Sequence, residues 1–306
     1  MGASQQQPIV YVVAGPTASG KTAISVALAQ ALGTAVISAD SRQCYTEMQI
    51  GTARPTDAEQ GGVPHYFIGS HSVTEELSAA RYEELALGYL SQIFATNSTA
   101  VVCGGTGLYI KALGQGLDPM PTVPAHIVAA TEEAYQQQGL TWLQQTVATE
   151  DPLFAATSEI QNPARLLRAL SFVRATGTSI TAYRSQTPVQ RPFRIIKVGL
   201  DWPRDVLYNR INQRVDNMIA AGLIDEVRTL LPYKHLKPMR TVGYDEIFRY
   251  LDGEWTLPQA IEKIKQHTRN YAKRQLTWFR ADADMTWLPA NAPHIVQEIL
   301  ALAEKK

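Results

Sequence analysis

Cysteine is nearly missing from this chain: Cys44 and Cys103 are the only two in 306 residues. Two thiols cannot build a disulfide framework or a Cys-rich zinc site, and their scarcity suits a reducing compartment. Charged residues are also sparse, at 18% against 45% hydrophobic, which excludes the charge-rich, apolar-poor composition of a disordered chain. Long apolar runs are absent as well. The stretch Ile9 to Gly15 falls far short of the roughly 20 residues a membrane helix needs, and nothing later comes closer. The leading Met1-Gly2-Ala3-Ser4-Gln5-Gln6-Gln7 lacks the basic and apolar parts of a signal peptide, and Gln6 stands where a myristoylation signal takes Ser or Thr. The expectation is a cytoplasmic protein without membrane contact, folded as one large domain or two smaller ones.

Net charge is zero, but it is unevenly spread. Residues 1–100 carry 4 Lys/Arg against 8 Asp/Glu, whereas residues 160–280 carry 21 against 10. Such a basic half suits a polyanionic partner, although charge counting alone fits a solvated face equally well.

Chemistry-bearing segments sit between predicted strands and helices. Ile9 to Ala14 is a β-branched apolar run of the kind buried in a parallel sheet, followed by a glycine-rich turn and a helical pattern from Thr22 to Leu32. Ala35 to Ala39, Ala100 to Cys103 and Ile195 to Leu200 read as further strands, and residues 79–95, 108–113, 204–231 and 258–280 as helices. This alternation predicts an α/β fold, a P-loop NTPase-like parallel sheet flanked by helices. Three prolines between Pro119 and Pro124 mark a boundary, and the next 60 residues are helix-like with no convincing strand. Residues 1–119 and 195–306 are therefore read as the catalytic core with its C-terminal helices, and 120–194 as an all-helical insertion. No internal repeat or low-complexity segment is found.

Gly15-Pro16-Thr17-Ala18-Ser19-Gly20-Lys21-Thr22 satisfies the eight-residue phosphate-loop pattern in the required strand-to-helix context. Its glycines permit positive φ and close approach, so successive N–H groups and the helix N-terminus can surround phosphate oxygens. Lys21 adds a point charge, and the Thr22 hydroxyl is the expected ligand for Mg²⁺ on a di- or triphosphate. An ATP-binding motif of this kind leaves kinase, ATPase and GTPase open. The strand 101–103, however, ends in Gly104-Gly105-Thr106 with no carboxylate at its tip; the carboxylate stands instead at Asp40, after strand 35–39, where the carboxyl edge of a parallel sheet faces the ligand crevice. A helix-capping role is the competing reading for Asp40.

Five further motifs combine with the loop Gly15 to Thr22: Asp40-Ser41-Arg42-Gln43-Cys44-Tyr45, Ile50-Gly51-Thr52-Ala53-Arg54-Pro55, Gly104-Gly105-Thr106-Gly107-Leu108-Tyr109, Thr241-Val242-Gly243-Tyr244, and Lys273-Arg274-Gln275-Leu276-Thr277-Trp278-Phe279-Arg280. Through them the sequence resembles the bacterial tRNA dimethylallyltransferases, also called isopentenyl-tRNA transferases. The resemblance implies transfer of a dimethylallyl group from dimethylallyl diphosphate to N6 of adenosine 37, next to the anticodon, in tRNAs that read codons beginning with U. It also implies that Thr17 and Arg214 sit on the donor diphosphate and that Asp40, Ser41, Arg42, Gln43 and Thr106 face the tRNA.

Residue chemistry agrees with that implication. A P-loop without a hydrolytic carboxylate suits a leaving diphosphate, whose developing charge Lys21, Thr22 and Mg²⁺ would stabilise. N6 of adenosine is a poor nucleophile because its lone pair is delocalised into the purine, so Asp40 is expected to accept its proton as general base. Arg210 and Arg214 share one helix face at i, i+4 spacing, suited to anionic oxygens, or else they are two solvated arginines near Asp216. The target base must leave its stack to be reached. Ser41 and Gln43 offer atoms to read an adenine edge, and Arg42 could stack or touch phosphate. Thr106 could equally cap the helix that follows it.

In the insertion, Ala164, Arg165, Leu166, Leu167 and Arg168 form the expected tRNA-contact segment on the anticodon stem-loop. A helix start at Asn162-Pro163 puts Leu166, Leu167 and Leu170 on an apolar face and points both arginines outward. Ala164 and Ser171 depart from the polar or acidic residues common there in relatives. The basic segment from Lys263 to Arg280 reads as a phosphate-tracking helix, with Trp278 and Phe279 placed in the core. No zinc finger is expected, since no cysteine follows Cys103, and a monomer is expected. The alternatives are an adenylate isopentenyltransferase acting on a free nucleotide, which would share the P-loop and Asp40, and a P-loop small-molecule kinase. The helical insertion and the basic half favour tRNA over a free nucleotide, and the missing carboxylate after strand 101–103 together with the other motifs speaks against the kinase.

Overall fold

A computed structural model describes residues 7–184 and 187–304. The chain divides into two compact units, one formed by the residues up to Gln115 and from Gln190 onward, the other by Gly116–Val189.

In the first unit, β1 (Ile9–Ala14) runs into α1 (Lys21–Leu32), β2 (Val36–Ser38), α2 (Asp57–Gln60), β3 (His65–Tyr66), α3 (Ala79–Phe94), β4 (Thr99–Gly104) and α4 (Gly107–Gln115). In the second, α5 (Ala125–Glu150), α6 (Pro152–Ala155) and α7 (Pro163–Thr176) follow. The chain then returns with β5 (Arg194–Asp201), α8 (Arg204–Ala220), α9 (Leu223–Thr229), α10 (Tyr244–Leu251), α11 (Leu257–Arg280), β6 (Met285–Pro289) and α12 (Ile295–Ala301).

The strands form one six-stranded sheet in the order β3-β2-β4-β1-β5-β6, every pairing parallel. Central β1 pairs all six residues with β4 on one side and with β5 on the other. Its side chains alternate between two cores: Val10, Val12 and Ala14 join one cluster, Tyr11 and Val13 the other. That alternation is why the run is apolar throughout, since both faces of a parallel sheet are covered by helices. Because the strands are parallel, β1, β2 and β4 end at one edge, in register: Ala14 lies beside Gly104 and Ser38 beside Cys103. Three predicted site segments therefore emerge together.

Two strands escaped sequence analysis. β3 has only two residues, and β6, Met-Thr-Trp-Leu-Pro, sits at the sheet margin with a half-exposed middle. The predicted helix 204–231 is two helices, broken where Gly222 adopts φ 99°.

The second unit is helical, with α5 bent at Gly139 (φ 78°, ψ −173°). α7 starts as its sequence dictates: the Asn162 side chain accepts from the Ala164 and Arg165 amides at 3.1 and 3.3 Å, Pro163 follows, and Gly177 closes the helix in the left-handed region. Leu166, Ala169, Leu170 and Phe172 pack with Leu143, Val147, Phe154 and Ile180. Leu166 is 0% exposed, which corrects its inclusion among tRNA-contact residues: its i, i+4 relation to Leu170 turns it inward, and its side chain cannot meet a partner.

Candidate active site

The P-loop leaves β1 at Gly15 and enters α1 through Gly20, which adopts φ 90° and supplies no side-chain cap. The first amides of α1 thus have no partner within the helix, the arrangement that accepts an anion. Ala18 also lies in the left-handed region, at φ 63°, a conformation that sequence analysis credited only to glycines.

Side chains hold three of the loop's carbonyls, one from the loop itself and two from the segment after β5. Lys21 Nζ donates to the Pro16 carbonyl at 2.8 Å, Arg210 Nε to Ala18 at 2.8 Å and Trp202 Nε1 to Ser19 at 3.0 Å. The Arg210 guanidinium also covers the Trp202 ring at 4.9 Å. Arg214, one turn on in α8, donates from Nη1 to Thr17 Oγ1 at 3.2 Å and from Nη2 to the Thr52 carbonyl at 3.0 Å. Arg214 is thus no solvated arginine, whereas Arg210 is exposed while bonded to the loop, and Asp216 pairs with Lys265 at 2.8 Å rather than with either. Burial pulls the Lys21 pKa down to about 8, opposed by Cys103 and Asp40 and reinforced by Arg214. Burial likewise lowers Arg214, with the Asp40 charge opposing it. Two cations are held against the P-loop with the Asp40 carboxylate within their electrostatic reach.

The Thr17 amide is already engaged: it donates to Gln275 Oε1 at 2.8 Å, while Gln275 Nε2 donates to the Gly105 carbonyl at 2.9 Å. Buried Gln275, in α11, thereby ties the end of β1 to the end of β4.

Asp40 caps a turn. Its Oδ1 accepts from the Arg42 and Gln43 amides at 2.9 and 3.2 Å, fixing the tight turn after β2, which leaves Oδ2 for other chemistry. Thr106 Oγ1 accepts from the Ser41 amide at 3.0 Å and donates to Ser41 Oγ at 3.3 Å, so its hydroxyl braces this turn. The β4 terminus approaches so closely that a Cβ on Gly104 would overlap the Ala39 carbonyl. Arg42 Nε donates to Thr241 Oγ1 at 2.5 Å, and Gln43 Nε2 to the Thr52 and Ala53 carbonyls at 3.2 and 3.0 Å.

The chain is similar to known proteins. The IPP transferase family matches residues 43–282. The protein named tRNA dimethylallyltransferase 1 in Bacteroides thetaiotaomicron is 43% identical over 295 residues, covering 96% of each chain. The chain belongs to the IPP transferase family. A solved structure of the full-length tRNA isopentenylpyrophosphate transferase of Bacillus halodurans is 36% identical with a TM-score of 0.71, and covers 98% of this chain and 95% of its own. The Staphylococcus epidermidis tRNA delta(2)-isopentenylpyrophosphate transferase is 31% identical with a TM-score of 0.70, over 97% and 99% of the two chains.

In this IPP transferase, α11 presents its basic residues unevenly. Lys265, His267 and Arg280 already face Asp216, Glu246 and Asp201, and Arg269 holds Asn212. Lys263, Lys273 and Arg274 are exposed without a carboxylate, Arg274 over the Tyr271 ring. Phe279 is core, at 2% exposure, but Trp278 is 45% exposed, against expectation. The buried stripe of α11 runs through Ala260, Ile264, Ala272, Gln275 and Phe279. Trp278 falls one residue, about 100° of helix, to the side of it, and lies over the Gly107 backbone.

Trp202 and Gln275 were missed as site residues. Trp202 follows β5 at the same sheet edge as the P-loop, a strand-end signal that could have found it; Gln275 lay in a motif but without a role, because its partners are backbone atoms 170 and 258 residues away.

Proposed function

We propose that this chain transfers the dimethylallyl group of dimethylallyl diphosphate to N6 of adenosine 37 of tRNAs reading codons that begin with U, releasing diphosphate. One observation carries the reading: Thr17, Lys21 and Arg214 line the loop that would hold the diphosphate, while Asp40 stands with a free carboxylate oxygen after β2, at the same sheet edge and one strand removed from β1. N6 attacks the donor's C1, the C1–O bond breaks with its electron pair leaving on the diphosphate, and the N6 proton passes to Asp40 Oδ2. Gly15, Pro16, Ala18, Ser19 and Gly20 shape the cradle. Ser41, Arg42, Gln43 and Thr106 form the wall for the extruded base, Gln43 and Thr106 acting chiefly by holding the turn.

Mg²⁺ fits this donor set. Among the described residues no three His, Cys, Asp or Glu side chains gather into a cage, and Mg²⁺ asks for none, because it keeps waters and binds substrate phosphates with one or two protein oxygens. Thr22 would hold it, and the bound ion would neutralise charge on the departing diphosphate.

Incubation with dimethylallyl diphosphate and unmodified tRNA, followed by mass spectrometry of the nucleosides, tests the reading. N6-dimethylallyladenosine in tRNA is the expected product, and AMP is expected to be a poor acceptor. Efficient prenylation of AMP with none of tRNA would move the assignment to a free-nucleotide enzyme. No helix among the described residues is long and apolar enough to cross a membrane, and a cytoplasmic location is part of the proposal.

We assign Arg165 and Arg168 of the helical unit to tRNA phosphates, with unequal weights. Both are exposed, but Arg165 is already paired with Glu159. Each phosphate neutralised contributes about −0.7 to −0.9 to the slope of log affinity against log salt. Arg168→Ala should therefore flatten that slope by nearly one, and Arg165→Ala by less, with the donor KM unchanged. Equal and negligible effects in a salt titration of tRNA binding would remove both from phosphate contact.

A further inference from the structure

The motifs Ile50 to Pro55 and Thr241 to Tyr244 meet at Glu226, a residue of α9 that belongs to no motif. Glu226 Oε2 accepts from the Gln49 and Ile50 amides at 3.0 and 2.6 Å, and Oε1 accepts from the Gly51 amide at 3.0 Å and the Tyr244 hydroxyl at 2.7 Å. Three successive amides converging on a carboxylate form a closed anion nest, and charge-assisted bonds of this kind are the strong ones. The fit leaves no slack. A Cβ on Gly51 would stand 2.5 Å from the Tyr244 ring. Tyr244 is itself anchored from behind, since buried Glu246 accepts from the Gly243 amide at 2.6 Å and faces His267 Nδ1 at 2.5 Å. Burial and the Glu226 charge raise the Tyr244 pKa, keeping its phenol a donor.

The residue that follows this nest, Thr52, has a carbonyl that is the shared acceptor for Arg214 Nη2 and Gln43 Nε2. Its hydroxyl is turned back onto the Met48 carbonyl at 2.7 Å, so the peptide's direction is set by the turn that Glu226 holds. We propose that Glu226 is a positioning residue for prenyl transfer: by fixing the 49–51 turn it places the Thr52 carbonyl, which aims Arg214 at the P-loop and Gln43 beside Asp40. The proposal rests on the reading of Arg214 as a donor-diphosphate contact.

A double-mutant cycle of Glu226→Gln with Arg214→Lys tests it, because residues that act through one another lose activity non-additively. Glu226→Gln keeps an acceptor oxygen but turns an NH₂ group toward amide donors. We expect it to lower kcat/KM for the donor by about 10- to 100-fold, equivalent to about 1.4 to 2.7 kcal/mol and within the range of coupled pairs, with tRNA affinity nearly unchanged. On the Arg214→Lys background it should add less than about threefold. Losses that multiply, with Arg214→Lys itself impaired, would overturn the positioning role alone. An Arg214→Lys enzyme with unchanged donor KM and kcat would overturn the diphosphate reading and the proposal with it. Should Glu226→Gln fail to fold, Tyr244→Phe, which removes a single bond to Oε1, is read through the same cycle with the same two outcomes.

Discussion

Replacing Asp40 by Asn lowers turnover by about 10² to 10⁴-fold, the contribution of a positioned general base, while the fold and donor affinity persist. The geometry separates the two functions of the side chain. Oδ1 caps the turn after β2 by accepting from the Arg42 and Gln43 amides, and an asparagine carbonyl oxygen serves there equally well. Oδ2 is the atom that would take the N6 proton, and in asparagine it becomes an NH₂ donor that cannot. The substitution also removes the negative charge that opposes the low pKa values of Lys21 and Arg214, so two cations near the diphosphate lose a counter-charge and its binding does not weaken. Single-turnover kinetics against donor concentration separate these effects: the maximal rate should fall while the half-saturating donor concentration holds or drops. A variant that turns over near the wild-type rate would take Asp40 out of proton transfer and leave it as a cap.

What the sequence made legible was whatever depends on near neighbours in the chain. β1, the P-loop and α1 are contiguous, and strand, turn and helix each carry a local signal in composition or period, so the fold and the strand-loop-helix geometry were readable there. The shared position of Asp40 and Thr106 was readable because a parallel sheet brings the carboxyl ends of its strands to one edge. Gln275 and Glu226 were not. Each is a single polar residue on a helix whose partners are backbone groups far along the chain, and neither spacing nor charge distinguishes such a residue from a solvated one. Trp278 was misplaced for a related reason: apolar neighbours in sequence do not say where the stripe of a helix falls, and a shift of one residue is enough to turn the ring to solvent. Leu166 shows the converse, since the apolar face that explains its burial also removes it from the contact segment.

Lys21→Met should stabilise the ligand-free protein and abolish tight donor binding. In the ligand-free state the buried ammonium has a pKa near 8, well below the ordinary lysine value of 10.5. At about 1.4 kcal/mol per tenfold, keeping it charged at neutral pH costs the folded state about 3 kcal/mol. The sign follows from linkage: the unfolded chain binds this proton more tightly, so the cost is fully present below pH 8 and is relieved as pH rises from about 8 to 10.5. Methionine fills a similar volume without the charge. Its one evident penalty is the loss of the bond to the Pro16 carbonyl, about 1 kcal/mol. The balance, about one to two kcal/mol, corresponds to a rise of a few degrees in Tm for a protein of this size. Donor binding moves the opposite way, because a desolvated diphosphate left without its ammonium partner loses about 2 to 5 kcal/mol, or roughly 30-fold to several thousand-fold in Kd. Thermal melts with and without dimethylallyl diphosphate and Mg²⁺ read both effects at once: the variant should melt higher alone and gain almost nothing from the donor, while its tRNA affinity stays close to wild type. A lower Tm in the absence of ligand would mean that the Pro16 bond outweighs the cost of the buried charge. Equal losses of donor and tRNA affinity would point to a disturbed fold instead of a missing phosphate contact.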